Sequence, residues 1–384
     1  MKPLQADVIV IGGGLMGTAA AFFLRRRGRS VILLERGLVG QQASGVNFGN
    51  VRRQGRFLPQ LPLANRSREI WGRLRELLGE DAEFLATGHI RVCYDPSQIG
   101  VIEAYAQKAR DYGLDLELLS ANALKARFGF FGPEAIAGSY SPNDGHANPR
   151  LAAPAFARAA ARAGVEVFEN TEIVSIAKPG DDFQATAADG SVFSAPIALV
   201  TAGAWGGALS QQFDEPVPLA VHGPQMAVTE PLPYRIRPVI GVSTVIPAEV
   251  VYLRQVERGN VVFGGGARGP AFADTRRAYA VPGNLTGQVR QIRRLVPALA
   301  NMRVIRTWSG IESYLPDDIP IMGPSARLSG LYYAFGFCGH GFQLGPGVGD
   351  VMAELIDRGS TTTLIEPFHI KRFATAEAAR LVSA

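Results

Sequence analysis

Asp7-Val8-Ile9-Val10-Ile11-Gly12-Gly13-Gly14-Leu15-Met16-Gly17, then an alanine-rich run to Gly28 and Ser30-Val31-Ile32-Leu33-Leu34-Glu35, is the stretch that decides the fold. An apolar strand enters a glycine turn, a helical run leaves it, and a second apolar strand closes a β-turn-α-β unit. Gly12 permits the tight turn, Gly14 lets backbone N–H groups approach a pyrophosphate with no Cβ in the way, and Gly17 lets the helix pack closely on the strand. Leu15 and Met16 open the helix, whose first N–H donors and partial positive charge suit phosphate. Glu35, about twenty residues beyond the glycines, is placed to accept hydrogen bonds from a ribose 2′-hydroxyl. A carboxylate there would repel a 2′-phosphate, so the expected ligand is FAD or NAD rather than NADP.

A chain of 384 residues that is 47% hydrophobic can bury the core of two domains or of one elaborated domain. Its net charge of +5 is dispersed. The densest basic group, Arg25-Arg26-Arg27 with Arg29, falls at the C-terminal end of the first helical run, where cations complement the helix dipole. No basic stripe with interleaved aromatics occurs, so nucleic acid is not an expected partner. Cys93 and Cys338 lie in no C-x-x-C. They fit a reduced cytoplasmic protein or a single disulfide, and no metal site is expected. The apolar run from Val8 to Leu24 contains four glycines and has Asp7 at its head, which suits the nucleotide turn better than a signal peptide or a transmembrane span.

Beyond Glu35 and Arg36 the loop Gln41 to Val51 is built of small and amide residues, among them Ala43, Ser44, Asn47, Gly49 and Asn50. Ser44 can donate to a phosphate, and Gly49-Asn50 lets main chain touch a flat ring. The pattern predicts helices over 61–78, 97–112 with Ser97 as cap, 120–128, 150–163 and 284–296. A strand pair is expected over 84–94, short strands over 165–167 and 171–177, and a hairpin of 183–187 with 192–200 across Asp189-Gly190. The last strand runs into Thr201-Ala202-Gly203-Ala204-Trp205. His146 reads as a turn residue rather than a catalyst. Val250 to Arg254 pairs with Asn260 to Gly264 near Gly259, and Tyr252 and Arg254, two apart, share a face that is either solvent or the roof of a site.

The opening unit, Glu35 and Ala43-Ser44-Gly45-Val46-Asn47-Phe48-Gly49-Asn50 resemble the FAD-dependent amine and amino-acid oxidases, the family of glycine oxidase, sarcosine oxidase and D-amino-acid oxidase. Gly145-His146-Ala147-Asn148-Pro149, Trp308-Ser309-Gly310, Pro316-Asp317, Pro320-Ile321-Met322-Gly323 and Ala334 to Pro346 extend the resemblance across nearly the whole chain. It implies an α/β fold: a Rossmann-like FAD-binding domain with a parallel sheet, made of residues 1–83, 141–215 and 305–384. A discontinuous α+β substrate domain with a mixed or antiparallel sheet would comprise 84–140 and 216–304. It further implies that the backbone of Val174 meets adenine, and that Val51, Ala202, Gly203, Trp205, Gly310, Ile311, Gly339, His340, Gly341, Phe342 and Gln343 adjoin the FAD. The helix start after His340 would stabilise charge gathering on the reduced flavin.

By the same resemblance, hydride leaves the carbon beside an amine nitrogen for flavin N5 and the imine hydrolyses, with Tyr252 positioning the substrate. Relatives of the glycine and D-amino-acid oxidase type carry an arginine shortly after Trp-x-Gly, where this chain has Glu312. The carboxylate clamp then falls to Arg254 first and Arg52 second. Glu312 would meet a cationic substrate group or pair with a nearby arginine, and His340 would bond flavin or substrate or simply pack in its turn. The family's covalent attachment points are matched by Asn47 and Gly310, so the FAD is expected to be noncovalent. The lysine that promotes dioxygen reaction has no match, Val262 standing near its place. The electron acceptor is therefore dioxygen, a partner protein or a quinone. These segments are most similar to opine oxidase flavoprotein subunits and sarcosine oxidase β-subunits, which makes a dehydrogenase subunit of a hetero-oligomer the alternative. A non-catalytic FAD-binding interaction protein is the reading from another class.

Overall fold

A computed structural model describes residues 3–374. Val8–Ile11 and Val31–Leu34 are four-residue apolar runs buried on both faces, as strands inside a covered parallel sheet must be. They pair in parallel, Val8 opposite Val31, and Ile197–Val200 pairs on the other side, Ile197 opposite Val8. Glu166–Phe168 and Leu331–Phe335 extend this sheet in parallel, and Ile321–Pro324 closes one edge antiparallel, giving six strands.

Alternation along the strands separates two cores. Val8, Val10 and Leu33 pack among helices α1 (Leu15–Arg26), α2 (Leu61–Gly72), α3 (Pro149–Arg162) and α4 (Gly341–Arg358). Ile9, Ile11 and Ile32 face the other way, onto Phe183, Ala185 and Phe193 of a small four-stranded sheet. The run 192–200 is thus two strands: Val192–Ala195 belongs to the small sheet and Ile197–Val200 to the central one. Pro196 sits between them and has no N–H for a ladder, so the chain changes sheets there.

The larger sheet has nine strands and is mixed: Val239–Val242 runs parallel to His89–Cys93, and the other pairs are antiparallel. Val251–Gln255 pairs with Asn260–Gly269, Tyr252 opposite Gly264, and Gly259 takes a φ of +94° at the turn. Val304–Ser309 and Glu312–Tyr314 both pair with Ala220–Pro231, which brings the stretch after residue 304 into this sheet. Residues 1–2 and 375–384, the outermost parts of the three-segment nucleotide domain read from the sequence, lie outside the described residues.

Several local expectations are refined. The helix expected over 61–78 breaks at Arg73, followed by a short helix Leu74–Leu78. Asp95, not Ser97, caps the helix Ser97–Arg110, its Oδ1 accepting from the Ser97 N–H at 2.8 Å. The pair expected over 84–94 is one strand, His89–Cys93, plus a single bridge from Leu85 to His146. Cys93 and Cys338 are both free and buried. No helix of the described residues is long and apolar enough to cross a membrane.

Candidate active site

Residues of both large sheets line one cavity of about 700 Å³. At one end is the glycine turn. Gly12 has a φ of +112°, and a Cβ there would lie 2.6 Å from the Thr201 carbonyl oxygen. A Cβ on Gly17 would lie 2.0 Å from the Gly12 oxygen, so this residue sits behind the lining and serves the packing of α1 on its strand. The Glu35 carboxylate accepts from the N–H groups of Gly13 at 2.7 Å and Gly37 at 2.8 Å. Ser44 Oγ accepts from the Leu15 N–H at 2.9 Å. Helix α1 follows Gly14, which has no side chain to cap it, and carries no acidic residue in its first turn, so beyond the Leu15 N–H taken by Ser44 its positive end is left to a ligand. Beside it Arg36 lies 4.0 Å over the Trp205 ring, and Val174 is exposed at the rim.

The loop after Ser44 forms the next wall. Asn47 is folded onto its own loop, donating to the Ala43 and Ser44 carbonyls and accepting from the Gly49 N–H. Gly49 has a φ of +82°, and a Cβ would fall 2.4 Å from the Ala147 oxygen. Two side chains of the larger sheet hold this loop from outside: Trp308 Nε1 donates to the Val46 oxygen at 2.8 Å, and Arg254 Nε to the Phe48 oxygen at 2.7 Å. Arg254 also lies 3.3 Å from His146 Nδ1, and burial pulls its pKa down to about 10. It does not line the cavity, because its guanidinium is drawn behind the loop; nor does the fully buried Val51. His146 is buried in a two-residue strand opposite Asn50.

Tyr252 does line the cavity. Its ring meets Phe48 edge-on at 4.7 Å, and burial pushes its hydroxyl up to about 12. Glu312 lies in the same wall. Enclosure raises its carboxyl to about 7, although backbone N–H groups of Gly339 and Ser313 and the charge of Arg268 pull the other way. No ion pair to Glu312 forms among the described residues; Arg268 is stacked 3.6 Å over the Tyr314 ring.

The adjoining wall is cationic. Arg52 Nη2 is 3.5 Å from His340 Nε2, and its Nη1 donates to the Gln54 carbonyl. Arg56 Nε donates to the Arg52 oxygen at 3.0 Å, and both its terminal nitrogens to the His340 oxygen at 3.4 Å. Arg91 reaches Ser243 Oγ at 3.5 Å. Enclosure and mutual repulsion hold Arg52 near 10 and Arg56 near 9, and enclosure lowers Arg91 as well. Enclosure, reinforced by these cations, drives His340 and His89 well below the usual imidazole value, so both are neutral. Sequence reasoning missed Arg56, His89 and Arg91. The polar pair His89 and Arg91, two apart in an apolar strand, was the available signal for one shared face. Arg56 sits in an irregular loop and gave none.

Helix α4 begins at this wall with His340 at its N-cap position and no side-chain cap. Its start is fixed from behind. Ser67 Oγ and Trp71 Nε1 donate to the Gln343 oxygen at 2.5 and 2.9 Å, and a Cβ on Gly345 or Gly349 would strike Leu15 or Ala19 of α1. Gly310 and Ile311, Ala202 and Gly203, and Gly339 to Gln343 all line the cavity. Asn50 Oδ1, His340 Nδ1 and Gln343 Oε1, on cavity-lining residues, are buried without a partner. At about 1–3 kcal/mol for each unpaired polar atom, this lining suits a polar ligand.

The family described as DAO, FAD dependent oxidoreductase, matches residues 7–355. The chain is 28% identical over 375 residues to a glycine oxidase of Geobacillus kaustophilus (strain HTA426), covering 95% of this chain and 97% of that one. It is 27% identical over 384 residues to a sarcosine oxidase subunit beta of Rhizobium meliloti (strain 1021), covering 96% and 88%. The crystal structure of an L-proline dehydrogenase from P. horikoshii superimposes with a TM-score of 0.90 at 26% identity, covering 97% and 98%.

Proposed function

Because the chain belongs to the DAO family of FAD-dependent oxidoreductases, we propose that it oxidises the C–N bond of an amino acid or N-substituted amino acid to an imine that hydrolyses. The observation that carries this reading is the wall on which Arg52 and the carboxyl of Glu312, neither in an ion pair among the described residues, share one cavity with the nucleotide turn. The residues present fit FAD: a helix start with no acidic residue in its first turn, a carboxylate beyond the glycine turn, and three orphaned polar atoms on the lining. FAD supplies the hydride acceptor. In this reading the six-stranded layer and its helices hold the cofactor and the nine-stranded sheet roofs the substrate.

Leu15, Met16 and Ser44 would receive the phosphates, Arg36, Val174 and Trp205 flank the adenine end, and the lining from Asn47 to Asn50 and from Gly339 to Gln343 follows the ring. Asn47 is occupied by its own loop and Gly310 has no side chain, which supports noncovalent attachment. Glu35 keeps lone pairs for ribose hydroxyls besides the two N–H groups it already accepts. Glu35→Ala is expected to weaken FAD about 10- to 100-fold, the effect of losing hydrogen bonds to a charged acceptor. Flavin release on dilution measures this; unchanged affinity would remove Glu35 from the FAD site.

Arg52 takes the substrate carboxylate with its planar fork, Tyr252 orients the substrate, and Glu312 handles the amine. With a pKa of about 7, ionised Glu312 can accept the ammonium proton and leave the neutral amine that oxidation requires. Below pH 7 the carboxyl is itself protonated and cannot. We therefore expect kcat/KM to rise with pH through about 7 and then level, and Glu312→Gln to flatten that rise and lower kcat/KM at pH 8 about 10- to 100-fold. A stability readout runs alongside. Since folding raises this pKa, the carboxyl's contribution is full below about 4.5 and is lost as pH climbs through about 7. Glu312→Gln should thus melt above wild type at pH 8 and level with it at pH 4.5. An unchanged pH profile sinks the assignment.

The electron acceptor in this reading is dioxygen, a partner protein or a quinone, and the similarity to sarcosine oxidase β-subunits supports a place in a hetero-oligomer. Peroxide formed in step with substrate loss by the purified chain in air would decide for dioxygen. Two buried free thiols agree with a cytoplasmic setting.

A further inference from the structure

We propose that the substrate is doubly anionic, an amine bearing two carboxylates, with one carboxylate held by Arg52 and the second by Arg91 beside Arg56. The inference rests on the amine-oxidation reading above and specifies its substrate class. It begins from charge. Arg52, Arg56 and Arg91 all line the cavity, and none of them has an ion-pair partner among the described residues. Other partly buried arginines have such partners: Arg66 has Asp350 and Glu354, and Arg294 has Glu134 and Glu249.

No carboxylate of the described residues forms an ion pair with the cluster. Asp144, whose charge acts on Arg52 and Arg56, is already bound to Arg53 by its backbone N–H at 2.8 Å and its Nε at 2.9 Å. The Tyr105 hydroxyl, which accepts from the Arg56 N–H, is made harder to ionise by burial. His89 and His340 are neutral. Three like charges are therefore gathered in one wall, although such a group is costly unless an anion joins it.

One carboxylate does not balance this wall, because its single negative charge leaves two of the three cations without a counter-charge. The donors divide accordingly. Arg56 spends its nitrogens on the carbonyls of Arg52 and His340 and braces the others, whereas Arg91 makes a single long contact to Ser243 and keeps most of its fork free. Gly339 donates to Glu312, the adjacent His340 touches Arg52, and the charge of Arg91 bears on Arg52. Glu312 then meets the amine, Arg52 the first carboxylate and Arg91 the second.

The FAD-loaded protein is titrated with glutarate and with butyrate, a dianion and a monoanion of similar length, at pH 8 and fixed ionic strength. Perturbation of the flavin spectrum or heat of binding gives the two dissociation constants. Wild type should bind glutarate at least about 30-fold more tightly. R91Q should reduce that ratio at least about tenfold, while R110Q, which removes an exposed charge outside the cavity, should keep it. The wild-type ratio stands as a test even if R91Q folds poorly. A wild-type ratio near one overturns the proposal, as does an R91Q protein that loses FAD affinity but keeps the ratio. Anaerobic mixing with iminodiacetate and N-methylglycine separates the two readings. Flavin bleaching by N-methylglycine with a glutarate ratio near one leaves amine oxidation standing and this inference fallen. A high ratio with no bleaching by any amine supports the anion wall and sinks amine oxidation.

Discussion

Arg52→Gln is expected to lower kcat/KM for amino-acid substrates about 10²- to 10³-fold, with most of the loss in KM. Truncating one partner of an enclosed, hydrogen-bonded charge pair costs about 2–5 kcal/mol, and each 1.4 kcal/mol is tenfold. The loss belongs mainly to binding because the carboxylate keeps its charge throughout the reaction, so its clamp serves ground and transition states alike. Folding should not suffer. Arg52 has no carboxylate partner to strand among the described residues, and its removal relieves repulsion with Arg56 and Arg91. The melting temperature of the variant should equal or exceed that of wild type, which separates a lost clamp from a damaged fold. Steady-state kinetics with a bleaching substrate makes the measurement. An unaltered KM would show that the carboxylate is held elsewhere.

Gly12→Ala should yield protein that has lost at least about nine-tenths of its flavin. The new methyl group would sit 2.6 Å from the Thr201 oxygen and 2.8 Å from its carbonyl carbon, on a residue whose φ is +112°. At that point three strands are tied: the Gly12 N–H donates to the Leu34 oxygen and the Thr201 N–H to the Ile11 oxygen. Neither side can yield without moving the strand ends that carry Glu35 and the start of α1. Gly28→Ala isolates the backbone term. Its φ is +90° but its Cβ would meet nothing within 4 Å, so it should cost about 1 kcal/mol of stability and leave the flavin in place. Absorbance at the flavin band relative to protein compares the two. Full flavin content in Gly12→Ala would mean that the turn can relax and that its tightness is not what holds the nucleotide.

How far the site could be read from the sequence depended on the distance over which it is assembled. The glycine turn and Glu35 were legible because strand, turn, helix and strand are consecutive, and the parallel core because its strands are unbroken apolar runs. Arg254 shows the opposite case. Alternation placed it correctly on the face of Tyr252, but its capture by the Phe48 oxygen and His146 spans 206 and 108 residues and follows no local pattern. The arginine wall is of this kind too, joining a loop at 52–56 to a strand at 89–91 and to the start of α4. Pro196 was visible in the sequence, yet the apolar run on either side of it concealed a change of sheet.

The grip of Trp308 and Arg254 on the loop from Val46 to Gly49 bears on traffic through the enzyme. Both bonds are made by the roof, and both hold a segment of the floor's lining. Swinging the roof aside would break them together, at about 1–2 kcal/mol apiece, and drag the lining out of shape. The rim where Arg268 is exposed gives reactant and product a way in and out that leaves roof and floor latched. Passage at that doorway asks only for side-chain rearrangement, whereas a hinge must first break both bonds.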